Sequence, residues 1–324
     1  MNSSRERDDS AVRNERSLKR LVRSLSLSGG QFSLILACCN YESLQNKILA
    51  RLRQQSSIKI QELLIPQQVN TLYTTIKSSL DKFPQTPSAL TIFGLDRVAN
   101  LDELLLSTNQ VRDEFRKSFN FPIVLWVTDE VVAKLIKLAP DFKSWAAATI
   151  KFELLKDELI ELLQQNKEEF FQEFYGSDRH IFNSSSSETN YSYPVLQLPI
   201  LANNLCKNRR NEIEQALKDL GSSKEELDPI LQTDLEFILG WDDCVLGKLN
   251  NALAHYQKSL NFWQQEAEKI EGTLQLKKQG IILYYMALCY RLKATSNSRK
   301  NREEWEKSYE LLDRKSTRLN SSHT

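Results

Sequence analysis

The spacing of apolar residues changes partway along this chain. Between Phe32 and Val127, short unbroken apolar runs alternate with segments of helical period; beyond residue 197 only the helical period remains. The runs are Phe32–Ala37, Ile58–Ile65, Ala89–Leu95 and Pro122–Val127. Leu44, Ile48, Leu49 and Leu52 form one helical face between the first two runs, and Val69, Leu72, Tyr73, Ile76 and Leu80 form another between the second and third. Leu101–Phe119 supplies a third helix, with Leu104, Leu105, Val111, Phe115 and Phe119, and Val131–Leu138 a fourth. Strands alternating with helices predict βαβ units and a parallel sheet. Strands that are apolar almost throughout predict a sheet covered on both faces. The expected fold class is an α/β N-terminal domain followed by an all-α region.

The flanking segments complete the plan. Residues 1–14 are polar and charged and are expected to be disordered. Leu18, Leu21, Val22 and Leu25 then mark a helix face of two turns, stopped by Gly29-Gly30. Its other side carries Arg16, Lys19, Arg20 and Arg23. That side fits either a membrane-surface helix or a helix packed beside the first strand with its cations in water, and so short a face favours the second. A longer helix is expected over Ile150–Phe171. Gly176–Tyr193, with four serines at 184–187, reads as a linker. The expected division is an α/β domain over 15–175, a linker over 176–196 and a helical domain over 197–312.

Composition narrows the function. Hydrophobic residues make up 41%, enough for real cores, and only 9 glycines and 8 prolines occur, which favours helices over an all-β fold. A net charge of +1 gives no global field to recruit nucleic acid. No stretch approaches the roughly 20 apolar residues of a membrane span. Five cysteines without C-x-x-C spacing point to reduced thiols and a cytoplasmic location. Zinc ligation lacks paired spacings. Histidines other than His323 occur only at 180 and 255, so a histidine-based triad is poorly supplied. Cys38-Cys39 lies where parallel sheets bind ligands, which leaves a redox or nucleophilic thiol, and with it a cysteine-dependent enzyme, as a third reading; neighbouring residues of a strand point to opposite faces, so one of the two is expected in the core. Lys207-Asn-Arg-Arg210 reads as a solvated helix face.

The first strand raises the main question. It runs directly into Cys38-Cys39-Asn40-Tyr41-Glu42-Ser43. A phosphate loop at this place needs glycines, so that backbone N–H groups can wrap an anion, and a Lys followed by Ser or Thr. No glycine lies between Gly30 and Lys47, and neither Ser nor Thr follows Lys47. The weak nucleotide-binding candidates are Asn40, Lys47 and Asp96. Without a loop to hold phosphates and their metal, Asp96 reads as a cap or a solvated strand end. Asn109, Arg112, Glu114 and Arg116 read as the wet face of their helix, and Trp126 and Trp145 as core anchors. No cofactor is expected.

Three resemblances extend this reading. Gly240, Gly247, Ala252 and Tyr256 occupy the small-residue, turn, alanine and aromatic places of a motif similar to the tetratricopeptide repeat. A looser second copy has Leu283, Ala287 and Tyr290 on one helix, then Trp305 and Tyr309 on the next. Trp305 stands where that motif has alanine. The resemblance implies helix pairs that stack and present a concave surface to a protein or peptide partner. Leu90-Thr-Ile-Phe-Gly-Leu-Asp96 and Pro122-Ile-Val-Leu-Trp126, with Phe32–Asn40, Asn109–Phe115 and Ala139–Trp145, resemble a domain that precedes such repeats in bacterial, notably cyanobacterial, proteins. That domain's layout is similar to the P-loop ATPase modules of signal-transduction proteins, in which Leu90–Asp96 would be the Walker B strand and Pro122–Val127 the sensor strand. The whole implies a non-catalytic interaction, scaffold or signalling protein, with a nucleotide-operated switch of the STAND type as the alternative. Finally, Asp313–His323 resembles the translation of a common short-read sequencing adapter. On that reading residues 313–324 are an artefactual tail, and the natural chain departs near Leu312.

Overall fold

Strand β1 (Ser33–Cys39) is buried along nearly its whole length, and a sheet is built around it. The computed structural model describes residues 2–83, 85–177, 200–221, 227–265, 272–296 and 302–321. They fall into two compact units, residues 1–157 and 158–324.

The first unit is a five-stranded parallel sheet. Its other strands are β2 (Ile60–Leu64), β3 (Ala89–Phe93), β4 (Pro122–Val127) and β5 (Ile150–Phe152), in the order β2-β3-β4-β1-β5. Leu34 pairs with Ile123 and Ala37 with Ile150, so β1 lies between β4 and β5. The chain leaves β1 for the far edge at β2, then returns through β3 and β4. Right-handed crossovers in opposite directions put the connecting helices on opposite faces. Helices α1 (Asn2–Leu27) and α2 (Glu42–Gln55) contact one face of β1. The other face meets α3 (Leu72–Leu80), α4 (Leu101–Gln110), α5 (Arg112–Ser118), α6 (Asp129–Leu138) and α7 (Pro140–Ser144).

Alternation along each strand divides the side chains between these layers. Leu34, Leu36 and Cys38 join Leu90, Ile92, Ile123 and Leu125 in the core beneath α3 to α7. On the α1–α2 side, the Trp126 ring stacks between Phe93 and Phe152, at centroid distances of 6.0 and 5.6 Å. Its indole N–H donates to the buried Thr91 hydroxyl at 2.9 Å, which satisfies two polar groups that would otherwise be stranded. After β3 the chain turns at Gly94, where φ is +84° and an added Cβ would lie 3.1 Å from the Ile65 carbonyl oxygen. Glycine is required there on both counts.

Several elements differ from the sequence expectations. Residues 1–14, expected to be disordered, are helical from Asn2. Asn14 is buried, donates from its side-chain amide to the Glu153 carbonyl at 2.8 Å and accepts from the Glu153 N–H at 3.0 Å. That amide continues the hydrogen bonding of the sheet past β5 and covers an edge. Ile150–Phe152, expected to begin a helix, is a strand because Ile150 and Phe152 are buried with Lys151 exposed between them. The expected single helix over Leu101–Phe119 breaks at Val111, where φ and ψ are −100° and 15°.

The second unit contains most of α8 (Lys156–Ser177), then α9 (Ile200–Leu220), α10 (Pro229–Val245), α11 (Leu249–Gln265), α12 (Gly272–Ser296) and α13 (Arg302–Ser321). Each helix from α9 to α12 packs on its successor. The linker expected at 176–196 lies, from residue 178, outside the described residues, as does His180. The boundary between the units comes earlier than expected because Phe170 and Phe174 of α8 pack with Phe237, Trp241 and Tyr285. Beyond Leu312, α13 continues to Ser321, and the Lys315 ammonium lies 4.8 Å from the Tyr284 ring. Among the described residues no helix is long and apolar enough to cross a membrane.

The contact between α9 and α10 corrects the reading of Lys207–Arg210 as a solvated face. Arg209 grips Asp242 with two nitrogens, and Arg210 Nε donates to Asp243 Oδ1 at 2.6 Å. Both aspartates are fully buried. Burial pushes the Asp242 carboxyl above the ordinary range, against the pull of Arg209. A buried carboxylate is tolerable only with such a partner. Arg209→Met alone is therefore expected to cost about 3–5 kcal/mol, while Arg209→Met combined with Asp242→Leu recovers most of the loss. Urea denaturation of both variants checks this; equal losses would show that the ion pair is not what matters.

Candidate functional site

In an open parallel sheet, ligands bind beyond the carboxyl ends of the strands. Here that edge is closed by a reciprocal pair of hydrogen bonds. Asn40 follows β1. Thr128 follows β4 and caps α6, its hydroxyl accepting from the Val131 N–H at 3.3 Å, so Asp129 opens the helix. The Asp129 N–H donates to Asn40 Oδ1 at 2.9 Å, and Asn40 Nδ2 donates to Asp129 Oδ2 at 2.9 Å. Oδ1 of the same carboxylate accepts from the Cys38 thiol at 3.4 Å and lies 3.4 Å from Lys151 Nζ.

The electrostatics follow from this geometry. Burial opposes ionisation of Asp129, but donation from Asn40 and Cys38, together with the Lys151 ammonium, outweighs it. Its pKa falls below the ordinary range. Burial first, and the Asp129 charge second, push the Cys38 thiol up to about 12. Cys38 is thus a protonated donor at neutral pH, the opposite of an activated nucleophile.

The other sequence candidates lie apart from this pair. Lys47 is exposed on α2. Asp96 stands in a short turn after β3, with Arg97 Nε 3.9 Å from its carboxylate, and its side chain is 43% exposed. Arg97 also donates to Glu42 at 2.7 Å, in the first turn of α2. A helix N-terminus behind a phosphate loop offers its N–H groups to an anion; this one carries a glutamate. Glu42, Asp96 and Asp129 therefore give the edge anionic character, balanced by Arg97 and Lys151. Among the described residues no group of three or more His, Cys, Asp or Glu is placed to hold a metal ion.

Asn109 and Arg112 are not simply a wet face. Asn109 Oδ1 accepts from the Phe142 N–H at 3.0 Å and so caps α7 from a distant helix, while Arg112 donates to the Asn109 carbonyl at 2.9 Å. Trp126 is a core residue as expected, whereas Trp145 is half-buried and meets Phe32 edge-on at 5.7 Å.

In the helical unit, Gly240 of α10 faces Tyr256 of α11 so closely that an added Cβ would lie 2.7 Å from the ring. Gly247 turns between the two helices with φ +75°, and Ala252 and Tyr256 are fully buried. The second set is different. Ala287 is fully buried and its carbonyl accepts from the Ser308 hydroxyl at 3.0 Å, but Tyr290 and Trp305 are half-buried and Tyr309 is 66% exposed. Trp305 and Tyr309 stack on each other, and the Arg291 guanidinium of α12 lies 5.7 Å from the Trp305 ring. Among the described residues of α13, Ser308 and Leu311 are the buried ones. His255 is held by Glu236, with Nδ1 2.6 Å from Oε2.

Comparison with known proteins gives no match: no family model, no curated protein and no solved structure matches this chain. A depressed carboxylate pKa contributes stability that is complete above the unfolded value of about 4 and lost as pH falls through the folded value. Asn40→Ala removes a donor and raises the Asp129 pKa. The acid limb of its unfolding curve, followed by tryptophan fluorescence, is expected to move to higher pH than wild type. Coincident limbs would show that Asn40 does not hold the charge.

Proposed function

We propose that this chain is a non-catalytic interaction and scaffolding protein. Its α/β unit has the layout of a nucleotide-binding module without a grip on phosphate, and its helical unit takes a protein or peptide partner through hairpins of the tetratricopeptide type. One observation carries the reading: the Asp129 carboxylate, fixed by Asn40 at the end of the central strand. A triphosphate placed there meets a fixed negative charge, where a phosphate loop would present backbone N–H groups. The protonated, buried Cys38 argues in the same direction against covalent chemistry at this edge. The Gly240–Tyr256 contact supports the helical half of the reading, because a small residue facing an aromatic ring lets paired helices approach closely. Protein partners are often anchored by exposed aromatic residues, and Tyr309, 66% exposed, provides such an anchor on α13.

The reading predicts that magnesium with ATP or GTP leaves thermal stability unchanged up to millimolar nucleotide. A nucleotide-operated switch at 100 times its dissociation constant would instead gain about 2.7 kcal/mol, and a rise in melting temperature of matching size would overturn the scaffold reading.

A further inference from the structure

The outer face of α1 is a feature the fold does not use. Its inner face is committed: Leu18, Leu21 and Leu25 are fully buried. On the opposite side Arg16, Lys19, Arg20 and Arg23 are exposed. They recur every three or four residues and so share one stripe. Leu27 continues that stripe and is 76% exposed, the largest value among the exposed apolar side chains described. Helix α2 packs beside α1, joined by the Arg51–Glu15 ion pair, and Lys47, one turn before Arg51, is exposed as well. In a chain of net charge +1, this is a local concentration of cations and not a share of a general excess.

We propose that the α1–α2 face docks on an anionic lipid surface, with the cations at headgroup level and Leu27 entering the boundary of the acyl chains. Two observations favour lipid over nucleic acid. No aromatic residue lies between residues 12 and 27 to stack on bases. Leu27, exposed among cations, offers a contact that lipid can use and a phosphate backbone cannot. The inference is independent of the scaffold reading and would give that scaffold a location. Each Lys or Arg near an anionic bilayer contributes roughly a fivefold gain in partitioning.

Sedimentation of the full chain with phosphatidylcholine vesicles, with and without phosphatidylserine, tests this. Binding is expected only to the anionic vesicles and to weaken with added salt. Arg16→Gln, Arg20→Gln and Arg23→Gln combined should reduce partitioning on the order of 100-fold, and Leu27→Ser alone several-fold. All four positions are exposed, so unchanged melting curves verify that the variants fold. Equal binding to neutral vesicles, no binding to either kind, or wild-type partitioning by the combined variant would overturn the proposal. So would retention on short RNA duplexes without vesicle binding, which would mark the face as a site for a phosphate polymer.

Discussion

The Asn40–Asp129 pair is the constraint on which the functional account rests. It joins the ends of β1 and β4 with two hydrogen bonds of 2.9 Å each. An ordinary cap would satisfy the first N–H groups of α6 and leave the end of β1 open. Here the asparagine bonds both the amide and the carboxylate of the residue that opens α6, and Cys38 adds its thiol to the same carboxylate. The result is a fixed anion at the place where the sheet topology would otherwise receive one.

The two units solve the same problem of buried polarity by different means. In the α/β unit, neutral amides do the work: Asn14 extends the hydrogen bonding past β5, Asn40 closes the ligand edge and Asn109 caps α7. Each satisfies backbone groups that the elements themselves leave open. In the helical unit, the partners are charged. Arg209 and Arg210 neutralise Asp242 and Asp243, and Lys278 Nζ lies 2.7 Å from Asp234, which is also buried. Removing one member of a buried ion pair costs far more than the pair itself contributes, so these contacts fix how α9, α10 and α12 meet.

Much of the architecture was legible in the sequence. The four long apolar runs became β1 to β4, and the helical period located α2, α3, α4 and α6. The strand β5 escaped because three residues with two apolar positions carry too little pattern to separate a strand from a helix start. The amide contacts escaped because they join residues far apart in sequence, such as Asn14 with Glu153. One missed contact did leave a signal. Asp242-Asp243 directly follows the apolar run Phe237–Trp241, where adjacent carboxylates demand cations, and Arg209-Arg210 is a matching doublet. Tyr309 shows the reverse: its spacing suited a packing residue, yet it is 66% exposed.

Amide NMR of the chain, titrated with a non-hydrolysable ATP analogue and magnesium, tests the central claim most directly. The account predicts that the resonances of Cys39, Asn40, Tyr41 and Asp129 stay in place up to millimolar ligand, because the fixed carboxylate holds the edge against phosphate. Saturable shifts confined to those residues would contradict it and would mean that the edge opens to receive a nucleotide.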